Sequence, residues 1–263
     1  IGKGATLISA NRSRQDLKLN RNPDIAVPAD PGCLMVYLAR AAPAAAGAWS
    51  DWREKLATRD AAREEEIDQQ GAAAGERVNP VALCRAVNEA LPEDSVVVAD
   101  GGDFVGTASY IVRPRAPLTW LDPGAFGTLG VGAGFALGAK LCRPEAEVWI
   151  MFGDGSLGYS IAEFDTFIRH ELPVIAVVGN DACWSQIARE QVKLLEDDTA
   201  VMLGRTDYHR VVAGFGAGGL LIERDDESAD VLAQARDVAA GGHAVLVNAL
   251  LDRSDFREGS ISI

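Results

Sequence analysis

The sequence has 263 residues, of which 48% are hydrophobic and 24% are charged, and this is the composition of an ordinary globular protein with a sizeable core. The formal net charge of −13 argues against a surface for nucleic acid or for an anionic membrane. No apolar run approaches the roughly 20 residues that a membrane-spanning helix needs, and no signal peptide is visible. We therefore expect no nucleic-acid partner and no membrane segment in this chain.

The cysteines and histidines are too scattered to suggest a zinc site. No C-x-x-C pair occurs, so we expect free and mostly buried thiols in a reducing compartment. Because the first residue is Ile1 rather than Met, we interpret the chain as the later part of a longer protein. A cytoplasmic location is the default expectation. A targeting segment or a membrane anchor upstream of Ile1 would overturn it, and neither would be visible in this sequence. The four cysteines are Cys33, Cys84, Cys142 and Cys183.

The first part of the chain is predicted to be the end of an α/β domain. Residues 6–10 and 25–28 have the pattern of short strands, and residues 34–40 have the pattern of a helix. Residues 1–45 are too few to hold a core of their own, so we assign them to the C-terminal remainder of a central domain. Residues 46–76 combine strong helix formers with many charged side chains, which predicts a solvent-exposed helical linker.

From residue 77 onward, apolar strands and helices alternate regularly. Asn79 and Pro80 predict the N-cap and the first position of a helix. The strands are continuous apolar runs, as in strands buried on both faces, and their alternation with helices implies right-handed crossovers. For residues 77–263 we therefore predict an α/β fold, a doubly wound parallel sheet flanked by helices. The predicted strands are 96–99, 148–152, 174–178, 219–222 and 244–250, and the predicted helices are 80–91, 130–142, 160–169, 208–215 and 227–239.

The loops that follow the strands are the candidate ligand sites, because ligands of open α/β sheets bind beyond the carboxyl ends of the strands. One of these loops, residues 153–157, reads Gly-Asp-Gly-Ser-Leu. Its carboxylate, Asp154, suits a hard cation such as Mg²⁺, which shares its oxygen ligands with a bound phosphate. The backbone N–H groups of Ser156 and Leu157 lie where a helix start would bind phosphate oxygens. By itself, however, Gly-Asp-Gly is equally suited to an ordinary turn.

A second candidate oxygen ligand follows the next predicted strand. Asn180 lies 26 positions after Asp154, and this spacing accommodates one helix and one strand. A single crossover would therefore bring both side chains to the same edge of the sheet. An Asp carboxylate, an Asn carbonyl and a backbone carbonyl form an oxygen-only shell that suits Mg²⁺.

With these two motifs the sequence resembles the thiamine-diphosphate enzyme superfamily, whose pyrophosphate-binding domain carries Gly-Asp-Gly and then an Asn-rich turn. The resemblance implies thiamine diphosphate and Mg²⁺ as cofactors. It also implies that Asp154, Asn180 and the backbone carbonyl of Ala182 are the protein ligands of the metal. Gly179 stands where the usual Asn-Asn turn has its first Asn. Because the active site of this superfamily lies between subunits, the resemblance implies a homodimer or a homotetramer.

A Gly-rich segment over residues 121–134 supports the same resemblance. In this superfamily such a segment holds the cofactor rings, which implies that the Gly127 carbonyl accepts a hydrogen bond from the 4′-amino group. Leu129 would wedge between the two rings and keep the cofactor bent. The segment is also typical of a Gly-rich helix start packed on a sheet, and both descriptions can hold at once. Further candidates for cofactor contact are Gly102, Asp103, Gly153, Gly155, Ser156, Leu157 and Trp184.

Residues 100–263 resemble acetolactate-synthase-like proteins of the 2-hydroxyacyl-CoA lyase and oxalyl-CoA decarboxylase branch. This resemblance implies a lyase or transferase that cleaves a 2-hydroxyacyl-CoA into an aldehyde and formyl-CoA. Gln186 falls where related decarboxylases place a polar residue facing the reaction centre; the alternative is a solvent-facing residue at a helix start. The Glu that activates the cofactor belongs to a separate domain that the sequence does not contain. The tail, residues 253–263, is expected either to fray or to cover the substrate.

Three alternatives stay open at this point. Acetolactate synthase, which joins two pyruvate units, is the nearest one within the superfamily. A nicotinamide dehydrogenase would require G-x-G-x-x-G after the first strand, and residues 130–134 do not fit that motif. A non-catalytic cofactor-binding module would keep the sheet without the chemistry, and the Asp154 and Asn180 pair speaks against it.

Overall fold

The structure of the protein is a computed structural model that describes residues 2, 4–42, 47 and 49–259. The predictions that concern Ile1, residues 43–46 and residues 260–263 lie outside the described residues. The chain divides into two compact units between residues 61 and 62, inside the helix predicted as a linker. The domain bounds inferred from the sequence stay predictions.

The first unit contains a two-stranded parallel sheet and one complete helix. β1 (Ile8–Ala10) pairs with β2 (Ile25–Val27), and α1 (Pro31–Ala41) follows. Asp30 caps α1, because its carboxylate accepts a backbone N–H of the first turn at 3.1 Å. α2 (Ser50–Gly71) begins in this unit and ends in the second. The predicted strands and helices of this region are confirmed within a few residues.

The second unit is a parallel sheet with helices on both faces, which confirms the predicted fold class. Six strands lie in the order β4-β3-β5-β6-β8-β7, and every neighbouring pair is parallel. The elements are α3 (Pro80–Ala90), β3 (Val96–Asp100), α4 (Asp103–Ile111), β4 (Trp120–Leu121), α5 (Gly132–Cys142), β5 (Val148–Gly153), α6 (Asp154–Leu157), α7 (Glu163–Arg169), β6 (Ile175–Asn180), α8 (Ser185–Leu195), α9 (Tyr208–Gly214), β7 (Gly218–Ile222), α10 (Ser228–Ala240) and β8 (Val245–Leu250).

Two hydrophobic clusters, one on each face of the sheet, hold these layers together. Trp149 and Met151 of β5 pack with α3, α4 and α10, whereas Ile150 and Phe152 pack with α5 and α7. Successive side chains of a strand point to opposite faces, so a strand covered on both sides is apolar throughout. The continuous apolar runs of the sequence arise from this arrangement. Asn79 caps α3 as predicted, accepting the N–H of Val81 at 2.9 Å.

Four elements were not predicted from the sequence. α4 begins at Asp103, soon after the strand predicted over residues 96–99, where a loop was expected. α6 has four residues and lies within residues 153–157, which were also expected to form a loop. β4 has only two residues, too few to show a periodicity. α8 was anticipated only as a helix start near Gln186, because none of its residues belongs to the buried core.

The prediction of mostly buried cysteines was wrong for half of them. Cys84 and Cys183 are buried, whereas Cys33 and Cys142 are exposed, and all four are free. Both exposed thiols lie on helices that keep most of their residues near the surface. In the part of the chain that the structure describes, no helix is both long and apolar enough to cross a membrane.

Candidate functional site

The carboxyl ends of three neighbouring strands meet at one edge of the sheet. β3 ends at Asp100, β5 at Gly153 and β6 at Asn180, and the register places Gly153 beside Gly179. A cavity of about 500 Å³ opens at this edge. Ligands of open α/β sheets bind at this position, so the cavity is the candidate site.

Glycines from two strand ends form the floor of the cavity. A Cβ on Gly101 would lie 2.7 Å from the backbone nitrogen of Gly153, and a Cβ on Gly155 would lie 2.5 Å from the Trp184 ring. Side chains at these positions would occupy space that neighbouring groups already fill. Both glycines also line the cavity, so they present backbone atoms to it, and glycine-rich loops approach phosphate groups in this way.

Asp154 supplies a buried carboxylate beside this floor, with only 3% of the residue exposed. One carboxylate oxygen accepts the N–H of Gly155 at 2.7 Å, and the other accepts the N–H of Ala182 at 2.8 Å. The loop after β6 turns back at Ala182, whose φ of 58° is left-handed. Asp154 therefore links the start of α6 to that loop.

Asp181 supplies a second carboxylate to the same cavity. Its oxygens accept the N–H of Cys183 at 3.1 Å and the hydroxyl of Ser185. Burial, and after it the charge of Asp181, raises the pKa of Asp154 to about 7. Burial also raises the pKa of Asp181. A buried carboxylate and a half-buried one that repel each other are an arrangement that a divalent cation would stabilise.

The raised pKa of Asp154 predicts that the metal-free protein loses stability as the pH rises. The folded-state pKa of about 7 lies above the unfolded value of about 3.9, so the folded state binds the proton more tightly. This stabilisation is fully present at acidic pH and is lost between about pH 4 and about pH 7. At about 1.36 kcal/mol for each pKa unit, its ceiling is about 4 kcal/mol.

Thermal unfolding of the full-length protein in a chelating buffer measures this effect. We expect the Tm to be lower at pH 8 than at pH 5.5, and Asp154→Asn to reduce that difference. Asp230→Asn, on the exposed side of α10, is the matched control and should leave the difference unchanged. An identical pH response in the wild type and in Asp154→Asn would contradict the prediction.

Asn180 faces away from the cavity, toward the loop before α9. Its Nδ2 donates to the carbonyl oxygen of Thr206 at 3.1 Å and to Oδ1 of Asn248 at 3.2 Å. Asn248 also donates to the Thr206 carbonyl oxygen, at 3.2 Å. Both asparagines are fully buried, and Oδ1 of Asn180 has no hydrogen-bond partner among the described residues.

The sequence-predicted site residues are largely brought together in the cavity. Those that line it are Gly102, Asp103, Gly127, Leu129, Gly153, Asp154, Gly155, Ser156, Trp184 and Gln186. Leu157, Asn180 and Ala182 do not line it. Leu157 belongs to the hydrophobic core, and the Ala182 carbonyl already accepts the N–H of Leu203 at 2.8 Å.

Asp100 fixes the Gly-rich wall of the cavity to the sheet. Its fully buried carboxylate accepts the N–H of Gly130 at 3.0 Å and that of Gly132 at 2.7 Å. Burial raises the pKa of Asp100, and these backbone hydrogen bonds partly oppose the increase. The carbonyl oxygen of Asp100 accepts the hydroxyl of Ser156. One residue therefore connects the wall that contains Leu129 to the start of α6.

Three charged cavity residues were missed as candidate site residues, namely Asp122, Asp181 and Arg257. Asp181 follows directly after Asn180, and the sequence alone does not show which of the two side chains faces the cavity. Arg257 lies in the tail, and no spacing in the sequence relates it to the strand ends. Within the described residues, no group of three or more His, Cys, Asp or Glu side chains forms a metal site by itself.

The fold and the position of the cavity agree with the comparison to known families. Residues 100–249 match the family described as thiamine pyrophosphate enzyme, C-terminal TPP binding domain. The matched range begins at the last residue of β3, contains β4 to β7 and β8 except its last residue, and includes every cavity-lining residue except Ala99 and Arg257. This chain belongs to that family.

Curated relatives narrow the comparison. Over its whole length the chain is 51% identical to 2-hydroxyacyl-CoA lyase 2 of Mus musculus and 49% identical to that of Homo sapiens, and it spans 43% of each. It is 35% identical to acetolactate synthase large subunit IlvG of Mycobacterium tuberculosis, over 77% of this chain and 37% of that protein. The chain thus spans less than half the length of the curated relatives it matches.

A solved structure shows the same fold. The thiamine diphosphate-dependent 4-hydroxybenzoylformate decarboxylase of Rhodococcus jostii RHA1 aligns with 70% of this chain and 34% of its own, with a TM-score of 0.62 and 20% identity. The family and the relatives confirm the predicted superfamily and the resemblance to 2-hydroxyacyl-CoA lyases and acetolactate synthases. They also agree with thiamine diphosphate as the cofactor and give no support to a nicotinamide dehydrogenase.

Proposed function

We propose that this chain binds the diphosphate of thiamine diphosphate through Mg²⁺, as part of an enzyme that breaks or forms a carbon–carbon bond. The observation that carries the proposal is the pair of carboxylates, Asp154 buried and Asp181 half-buried, beside a floor of glycines at the strand ends. Carboxylates and phosphate oxygens are the ligands that Mg²⁺ prefers. The residues of the cavity therefore fit both the metal and the cofactor.

In this proposal Asp154 and Asp181 hold the metal. Both carboxylates lie in the cavity, and the pKa of Asp154 is raised in part by the charge of Asp181, so a cation would remove a repulsion already present. Asn180 and the Ala182 carbonyl, which the sequence resemblance implies as ligands, form the competing assignment. The Asn180 amide donates to Thr206 and Asn248, which do not line the cavity. For this reason we prefer Asp181 as the metal ligand.

Thiamine diphosphate supplies a carbon nucleophile and an electron sink when it is bound, and the protein positions it. Gly127 and Leu129 form the wall along which the cofactor rings would lie. On the opposite side of the cavity the Trp184 ring packs on Gly155. Its centroid lies 6.3 Å from that of the Tyr159 ring. Gln186 lies against Gly102 at the start of α8, and we propose that it forms a hydrogen bond with the substrate.

For the whole protein we propose the cleavage of a 2-hydroxyacyl-CoA into an aldehyde and formyl-CoA. Relatives that match the entire chain at 49–51% identity are named 2-hydroxyacyl-CoA lyases, and the acetolactate synthase match has 35% identity. The activating Glu would come from another domain. Because the active site of this superfamily lies between subunits, we propose a homodimer or a homotetramer, in which a second subunit completes the site.

Product analysis with the full-length protein, thiamine diphosphate and Mg²⁺ tests this proposal. 2-Hydroxyacyl-CoA substrates of several chain lengths and pyruvate are supplied in separate reactions. An aldehyde with formyl-CoA is the expected result. If the only product is acetolactate from pyruvate, the protein is an acetolactate synthase and the proposed lyase activity is wrong. The absence of both products from protein with bound cofactor would instead support the cofactor-binding module.

A further inference from the structure

We propose that Arg257 binds an anionic group of the substrate, either a phosphate of coenzyme A or the carboxylate of a 2-oxo acid. This inference rests on the proposed function of the cavity and assigns a residue to substrate recognition. The first observation concerns the charges of the residues that line the cavity. Among the described residues that line the cavity, Arg257 carries the only positive charge, whereas the acidic ones are Asp103, Asp122, Asp154 and Asp181. An anionic substrate entering this cavity needs a cationic partner.

The second observation is that Arg257 fits closely against α4. Gly106 of α4 has no side chain, and a Cβ at this position would overlap the Arg257 guanidinium. The guanidinium therefore occupies the space that any other residue at position 106 would fill. Ser109, one turn further along α4, lines the cavity beside it.

The third observation is that the residue before Arg257 anchors the tail. Phe256 is buried and meets Tyr110 of α4 edge-to-face, with ring centroids 5.7 Å apart. The Arg63 guanidinium lies 4.8 Å from the centre of the Phe256 ring, a cation–π contact. The N–H of Phe256 also donates to the Ser254 hydroxyl at 3.1 Å. This packing holds the backbone next to Arg257 in place, as a recognition residue requires.

Arg257 packs against α4 at a point away from the proposed metal site. Gly101 and Gly102 lie at the strand end beside Gly153, whereas Arg257 packs on Gly106, one helical turn further on. At about 1.5 Å for each residue, Gly106 lies about 6 Å and Ser109 about 10 Å along the helix axis from Gly102. We therefore assign Arg257 to the substrate and not to the cofactor diphosphate.

The test compares Arg257→Gln and Arg257→Lys with the wild-type full-length protein. The substrates are a 2-hydroxyacyl-CoA, the matching pantetheine thioester without phosphates, and pyruvate. If the anion is a phosphate, we expect Arg257→Gln to raise the KM for the CoA thioester about tenfold or more and to leave the KM for the pantetheine thioester unchanged. If the anion is a carboxylate, the increase appears with pyruvate instead. Arg257→Lys should recover part of the loss in either case.

Calorimetric titrations of coenzyme A, pantetheine, pyruvate and thiamine diphosphate give a readout that does not depend on turnover. We expect Arg257→Gln to weaken the binding of coenzyme A or of pyruvate and to leave the Kd of thiamine diphosphate unchanged. Arg210→Gln, an exposed arginine of α9, is the matched control. The inference is overturned if the neutral and anionic ligands are affected equally, if neither is affected, or if only thiamine diphosphate binding weakens. Failure of the wild type to bind thiamine diphosphate would instead contradict the proposed function.

Discussion

Replacement of Asp181 by alanine is expected to weaken the Mg²⁺-dependent binding of thiamine diphosphate about a hundredfold or more, equivalent to at least about 2.7 kcal/mol. The variant removes one of the two cavity carboxylates and leaves Asp154 as the single anionic ligand of the proposed pair. Calorimetric titration of the cofactor at several Mg²⁺ concentrations measures the effect. The Tm of the metal-free protein at pH 8 should not fall, because the variant also removes the repulsion between Asp154 and Asp181.

Asn180→Ala is the matched variant one residue away. It leaves the buried Asn248 without its amide partner, so we expect a loss of stability of about 1–3 kcal/mol. The Mg²⁺ dependence of cofactor binding should change much less than in Asp181→Ala. The reverse pattern, with metal dependence lost in Asn180→Ala and kept in Asp181→Ala, would make Asn180 the metal ligand.

Gly155→Ala is expected to weaken cofactor binding at least about tenfold and to destabilise the protein by about 1–3 kcal/mol. The new Cβ would lie 2.5, 2.6 and 2.7 Å from three carbons of the Trp184 ring, so the ring or the loop must move. The loop that moves carries Asp154, whose carboxylate accepts the Gly155 N–H. Calorimetry and thermal unfolding of the full-length protein measure the two effects.

Two further variants test whether the overlap with the Trp184 ring causes the losses expected for Gly155→Ala. Gly155→Ala combined with Trp184→Leu removes the overlapping ring, so it should recover much of the lost stability. Gly138→Ala lies inside α5, where a Cβ would meet nothing within 4 Å, and it should leave cofactor binding unchanged. If Gly155→Ala behaves like Gly138→Ala, the glycine floor is not required for binding.

The sheet and most of the cavity could be predicted from the sequence because they depend on local patterns. The apolar runs mark strands buried on both faces, and the glycine and aspartate residues after two of them mark the strand ends where ligands bind. The capping of α3 by Asn79 follows from the Asn-Pro pair. Each of these features involves only a few neighbouring residues and a fixed periodicity.

The choice between Asn180 and Asp181 could not be made in this way. A shift of one residue at a strand end reverses the face to which a side chain points, and the sequence does not show where the strand stops. The structure ends β6 at Asn180, directs its amide toward Asn248 and places Asp181 in the cavity. The pairing with Asn248 joins residues 68 positions apart, so no local pattern reveals it.

Arg257 was missed as a site residue for a similar reason. Its place in the cavity depends on the packing of Phe256 against Tyr110 and on the absence of a side chain at Gly106. Both partners lie on α4, a helix that was not predicted from the sequence. Contacts between the tail and a helix more than a hundred residues earlier are set by the fold as a whole.

The central claim is a Mg²⁺-dependent diphosphate site, and calorimetric titration of thiamine diphosphate into the full-length protein tests it most directly. The titration is made with Mg²⁺ and with a chelator, for the wild type, for Asp154→Ala and for the surface control Asp230→Ala. We predict saturable binding only with Mg²⁺ in the wild type and in the control, and no binding in Asp154→Ala. Binding that is equally strong without the metal, or that survives in Asp154→Ala, would contradict the claim.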